Sequence, residues 1–249
     1  MKIYLITLFS IFSFYVSAQI ITNEVPQTNT PKEEPEEKVK KERNKSKSGV
    51  EMFFGVSPAY TYRTLEINEG LFAQPIGERE NEEGLWTVGY HLGVRTPLSN
   101  RIKLEIGAGY YANKEKNDVQ STDSILGYEN TYQHISFPLR LVYSFGNEIK
   151  FYGGVGIIPK AFLSMSREET TLDINNKETT QKYRERDNYN LFLLDGVVTI
   201  GAQFQLNDNY GIYASLEGRR QFTNNYNNQS PYIRKPYALG FNFGIEIYL

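Results

Sequence analysis

From residue 50 onward apolar and polar positions alternate with a period of two, the pattern of strands whose two faces meet different surroundings. The run at 236–249 shows it most plainly. Tyr237, Leu239, Phe241, Phe243, Ile245, Ile247 and Leu249 fall on one face, and Ala238, Gly240, Asn242, Gly244 and Glu246 on the other. Between 100 and 113, Ile102, Leu104, Ile106, Ala108 and Tyr110 oppose Lys103, Glu105, Gly107 and Gly109. Eight such runs are predicted, near 50–63, 85–97, 100–113, 131–146, 149–165, 189–206, 210–222 and 236–249. Each is longer than the five or six residues or so of a globular strand, and a tilted strand crosses hydrocarbon in about 9–11.

The connections alternate as well. Pro97-Leu98-Ser99-Asn100, Gly146-Asn147-Glu148 and Asn207-Asp208-Asn209 are tight links of turn-forming residues. The other four, 64–84, 114–130, 166–188 and 223–235, read as long polar loops, with the Thr-rich start of 166–188 expected to extend its hairpin. Short turns on one rim and long loops on the other predict an all-β fold, an eight-stranded antiparallel up-and-down transmembrane β-barrel with its short turns periplasmic. Pro58, Pro138 and Pro159 lack the N–H that a ladder needs, so each is expected at a bulge or irregularity.

Alternation alone leaves open which face lies inside. A soluble lipocalin-like barrel, a periplasmic carrier, would turn the apolar face inward. Three features predict the reverse. The polar face is rich in glycine (Gly55, Gly93, Gly107, Gly109, Gly240 and Gly244 among others), which suits a narrow lumen. It also carries charges of both signs at mid-strand: Arg95, Lys103, Glu105, Arg140, Asp195, Glu217, Arg219 and Glu246. These are expected to form a polar network that fills the lumen. Finally, Tyr60, Trp86, Tyr110, Tyr143, Tyr210 and Tyr237 of the apolar face sit near strand ends, as interfacial aromatics do.

Composition narrows the chemistry. The 249 residues have a formal net charge of −2, which gives no basic field for nucleic acid. Zero cysteines exclude disulfides, thiolate metal sites and a thiol nucleophile. Two histidines, His91 and His134, make a His-rich metal centre improbable. At the N-terminus, Lys2, an apolar run from Ile3 to Val16 and the Val16-Ser17-Ala18 cleavage pattern predict a signal peptide over 1–18. Residues 19–49, with Pro26, Pro31, Pro35 and a dense mixed-charge run, are expected to form a disordered periplasmic spacer, leaving 50–249 as the barrel.

One stretch resembles a known family. His134-Ile135-Ser136-Phe137-Pro138-Leu139-Arg140-Leu141-Val142-Tyr143-Ser144-Phe145, a short turn, then Lys150-Phe151-Tyr152-Gly153-Gly154-Val155-Gly156, looks like the central hairpin of the outer-membrane β-barrel domain (PorT-like) family common in Bacteroidetes, small barrels of the OmpX-like sort. Phe137 stands where that family often has Ile. The resemblance implies fold and outer-membrane location, with lipid and the barrel assembly machinery as partners, and carries no catalytic residues. Tyr248-Leu249 departs from the terminal aromatic that the machinery usually reads.

The remaining residues suggest no reaction. His91, Asp195 and Ser136 face the interior and His134 lies near the outer end of its run, but no nucleophile motif accompanies them. No catalytic, metal or cofactor site is expected. The expected function is non-enzymatic, a structural or surface-interaction role through long extracellular loops that meet a ligand or partner protein. The alternatives are a narrow porin or transport-associated barrel, and the soluble carrier.

Overall fold

The computed structural model of the chain describes residues 49–68, 82–120, 125–146, 149–172 and 177–249. The expected signal peptide, residues 19–48 of the expected spacer, and Asn147 and Glu148 of one turn lie outside the described residues.

Ten strands follow one another: β1 (Glu51–Ile67), β2 (Glu82–Pro97), β3 (Ile102–Gln120), β4 (Ile125–Ser136), β5 (Leu139–Phe145), β6 (Ile149–Leu172), β7 (Glu178–Glu185), β8 (Phe192–Gln205), β9 (Tyr210–Gln221) and β10 (Tyr232–Tyr248). They make eight walls. β4 and β5 are two halves of one wall, each pairing with β3 on one side and β6 on the other. β7 pairs with the distal part of β6, from Met165↔Glu185 to Leu172↔Glu178, and extends the sheet beyond the barrel. β1 pairs with both β2 and β10, so the ring closes and no wall keeps an open edge.

The prolines explain where the ladders break. Leu139↔Ile157 ends the β5–β6 ladder and Ser136↔Lys160 begins the β4–β6 ladder, so Pro138 and Pro159 share one gap. There Phe137 N donates to Pro159 O at 2.8 Å and Gly107 N donates to Pro138 O at 3.0 Å. Pro58 falls in a similar skip, between Val56↔Phe243 and Ala59↔Gly240. Gly146 takes up a positive φ of 102° where β5 turns toward β6, a conformation that side chains other than glycine's disfavour.

Polarity runs apolar-out. Ile200, Leu239 and Leu92 are exposed by 65, 63 and 61%, while Glu246 and Ser136 are wholly buried. A continuous belt of this kind is stable against hydrocarbon rather than water. The lipocalin-like arrangement is thereby overturned.

Three loop expectations need correction. Residues 114–120 and 125–130 are not loop but paired strand, from Lys114↔Thr131 to Gln120↔Ile125. Likewise β1 and β10 pair as far as Ile67↔Tyr232, inside the ranges read as loops. The inward positions of these stretches are polar too, with Glu115, Asn130 and Arg234 buried there, so no period-two signal survives in them. The expected extension of the 166–188 hairpin is present as β6 and β7.

Two bulges shape the outer end. Between Gln133↔Ser164 and His134↔Phe162, β6 carries one extra residue, Leu163. Beyond it the parity of β6 reverses: Met165 and Arg167 turn inward, and Ser166 and Glu168 outward. The β2–β3 ladder shifts between Gly84 and Tyr90. Threonine hydroxyls bridge that gap. Thr87 Oγ1 donates to Ala112 O at 2.9 Å, and Thr61 Oγ1 accepts from Lys114 N at 2.8 Å and lies 3.1 Å from Lys114 O and Leu85 O.

Candidate functional site

The lumen holds the chemistry. Six of the eight charged residues singled out above form one chain of alternating sign, Glu246–Arg95–Glu105–Arg140–Glu217–Arg219. Arg95 and Arg140 each bring Nε to within 2.6 Å of Glu105, one from either side. Arg95 also pairs with Glu246, and Glu217 pairs with Arg140 and Arg219. Lys103 joins through Glu51, whose carboxylate lies 3.9 Å from Arg95. Asp195 stands apart, 2.7 Å from Lys160, whose Nζ also donates to Gln221 at 2.9 Å. The Arg219 guanidinium sits over the Tyr111 ring at 3.6 Å. Ion pairs this deep persist only when the charges are well partnered, and Arg95, Glu105, Arg140 and Glu217 each have two or more ionic partners.

His91 belongs to the same packing. Ser57 Oγ lies 2.7 Å from its Nδ1 and Tyr213 Oη 2.5 Å from its Nε2. Ser57 donates its own proton to Asn242 Oδ1 at 2.5 Å, so the imidazole proton sits on Nδ1 and Nε2 accepts from Tyr213. The histidine therefore does not take up the Ser57 proton, as a nucleophile's base would. Gly55 and Gly244 make the room for this contact: a Cβ at Gly55 would stand 2.4 Å from Tyr213 Oη. His134 and Ser136 are buried on the inward face, His134 against Phe162 with ring centroids 5.6 Å apart.

A second cluster lies toward the loop end, and the sequence reading missed it. Glu115 accepts from Arg63 Nε at 2.5 Å, Arg234 Nη2 at 2.9 Å and Tyr132 Oη at 3.1 Å, and Arg63 reaches Glu82 at 3.0 Å. Beside it Tyr132, Phe162, Met165, Tyr189 and Leu193 pack into an apolar cluster, with Tyr226 against them. Glu115 falls in the range 114–130, which reads as loop and offers no strand parity. Lys160 was findable: it shares the inward parity of Tyr152, Gly154 and Ile158. Little space remains. The cavity bounded by Thr61, His134, Lys160, Asp195 and Arg219 offers about 20 Å³, room for a water molecule.

Outside, the aromatics divide between the two ends. Tyr143 and Tyr210 are exposed near the short turns, and Tyr60, Trp86 and Tyr237 near the loop end. Tyr110, half-buried, is at the height of Tyr90 and Ile135. On the hairpin beyond the spanning segments, Lys182 donates to Glu168 and holds its carboxyl below the usual carboxylate range.

A closed antiparallel ring, apolar outside and ionic inside, with aromatics at both ends, defines a transmembrane β-barrel. The outer membrane protein beta-barrel domain family matches residues 40–222, and the chain belongs to that family, whose place is the bacterial outer membrane. A search of curated proteins finds no match. Among solved structures, the chain is similar to Neisserial surface protein A, at 11% identity over 81% of this chain and 98% of that one, with a TM-score of 0.44. It is also similar to the outer membrane protein OprG from Pseudomonas aeruginosa, at 11% identity over 82 and 97%, with a TM-score of 0.45. For Ail, the attachment invasion locus protein of Yersinia pestis, the values are 11%, 79 and 99%, and 0.33.

Proposed function

We infer that this is a non-enzymatic outer-membrane barrel, closed to solute flow, whose role is structural or carried by the hairpins above the membrane. The observation that supports closure is the filled lumen. An alternating ionic chain occupies it along its length, the Glu115 cluster and the apolar plug of Tyr132, Phe162 and Tyr189 close its loop end, and a cavity of about 20 Å³ lies between them. An eight-stranded barrel has an interior just wide enough for side chains to fill it. Surface interaction is the reading for the hairpins because β6–β7 extends the wall and β7 is exposed along its whole length, with polar residues on both faces.

Planar-bilayer recording on protein whose gel mobility shifts on boiling tests this. Insertion without steady single-channel steps is the expected result. Steady unitary steps would establish the narrow porin instead.

A further inference from the structure

Two neighbouring grooves on the outer surface, one over β2–β3–β4 and one over β10–β1–β2–β3, are not explained by closure of the barrel. The upper one, about 830 Å³, is lined by Trp86, Val88 and Tyr110 at its floor and by Lys114, Lys182 and Arg184 above them. The lower one, about 700 Å³, is lined by Tyr90, Leu92, Ala108, Ile135 and Phe243. Tyr110 lines both, so its ring stands where the two grooves meet.

Polarity changes in step along three neighbouring strands. On β2 the outward residues run from Trp86 and Val88 to Tyr90 and Leu92, on β3 from Lys114 to Tyr110 and Ala108, and on β4 from Glu129, Thr131 and Gln133 to Ile135. Small Ala108, between larger outward neighbours, keeps the lower groove open.

The roof comes from the β6 bulge. The extra residue Leu163 reverses the parity of β6, so Ser166 and Glu168 turn outward, and the pairings Ser166↔Arg184 and Glu168↔Lys182 put Lys182 and Arg184 on the same face. Lys114 is paired with Glu129 at 2.6 Å and Lys182 with Glu168. Arg184 is exposed and has no ion pair among the described residues, which leaves the upper groove one net positive charge and a free guanidinium fork. Such a fork matches a phosphate bidentately, and the hydroxyl and amide groups of Thr131, Ser166 and Gln133 suit sugar hydroxyls.

We propose that this flank seats a phosphorylated glycolipid of the outer leaflet, its phosphate on Arg184 and Lys182 and one acyl chain lying past Tyr110 along Ala108. The proposal rests on the outer-membrane reading, with the β6–β7 hairpin on the outer side. It adds a specific lipid site where that reading requires only a generic apolar belt.

The test is native mass spectrometry of the detergent-purified protein, titrated with phosphorylated lipid A, with the same lipid after enzymatic removal of its phosphates, with phosphatidylcholine and with inorganic phosphate. Phosphorylated lipid A is expected to be retained at least about tenfold more tightly than the dephosphorylated form, the discrimination of a single charge-assisted contact. Two variants at outward-facing positions separate the halves of the site. Arg184→Glu with Lys182→Glu is expected to abolish the preference for phosphate. Ala108→Phe, which fills the lower groove, is expected to weaken both lipids alike.

Equal retention of the two lipid A forms, or unchanged preference in the double variant, overturns the proposal. So does retention of inorganic phosphate as tight as that of the lipid, because the acyl groove would then contribute nothing. A boiling-dependent gel shift on each sample keeps the outcomes distinct. Barrels that shift but do not discriminate defeat the lipid site and leave the membrane reading standing, whereas material that never shifts defeats the membrane reading itself.

Discussion

Lys160 and Asp195 form the most separable ionic unit of the lumen, since the pair is bonded to Gln221 and lies outside the Glu246-to-Arg219 chain. Both side chains are buried, so each charge is tolerated only because the other is 2.7 Å away. Lys160→Met leaves the buried Asp195 carboxyl without its partner, and should cost about 3–5 kcal/mol in a urea titration of the folded barrel. Adding Asp195→Asn removes the orphaned carboxyl and should return most of that loss. If the double variant were as unstable as the single one, the cost would come from packing at Lys160 rather than from charge. The same logic explains which single residues could be read in the sequence. Glu105, Arg140 and Glu246 could be recognised as lumen charges because each sits in a strand between apolar neighbours of opposite parity, and Arg95 because it continues the inward parity of His91 and Gly93. Their pairing across the lumen could not, because it depends on which walls face each other after closure.

At the scale of the element, the strands were legible wherever one face meets lipid and became illegible where it does not. The last run, 236–249, shows strict alternation, and β10 occupies it. The upper part of β3, Asn113–Gln120, is polar on both faces and reads as loop, yet pairs with β4 along its whole length. What keeps such a stretch in register is backbone bonding supplemented by side chains at the irregular points. Thr61 is the clearest case, since its buried hydroxyl supplies the partner that the bulge in β2 takes from Lys114 N. Thr61→Val, nearly the same in shape, should leave that N–H unsatisfied and cost about 1–3 kcal/mol. Hydrogen exchange should then speed up at Lys114 and its neighbours, with the far wall at β8 and β9 unchanged. Exchange that rises uniformly around the ring would show that the bulge is not held by this hydroxyl.

For the whole molecule, the decisive property is the direction of the polarity, because the same alternation read inside-out would make a soluble carrier. The central hairpin, with its Phe137-Pro138-Leu139 break and Gly153-Gly154 strand, was the part of the sequence that tied this polarity to a family. Family membership and the exposed belt now agree on it. Depth within the bilayer gives a quantitative check. Val198 is 59% exposed and lies midway along β8, while Phe192, 82% exposed, stands at the loop end of the same strand. An arginine facing lipid costs about 2–4 kcal/mol at the midplane and falls to about 0–1 near the interface. Val198→Arg should therefore lower the unfolding free energy in lipid vesicles by the larger amount, and Phe192→Arg by the smaller. In a water-exposed wall the order would vanish, since a solvated guanidinium at either position desolvates nothing. A graded loss with depth, set against a flat response on transfer to a short-chain detergent that hydrates the belt, would locate Val198 in hydrocarbon and fix the orientation of every alternating residue on the eight walls with it.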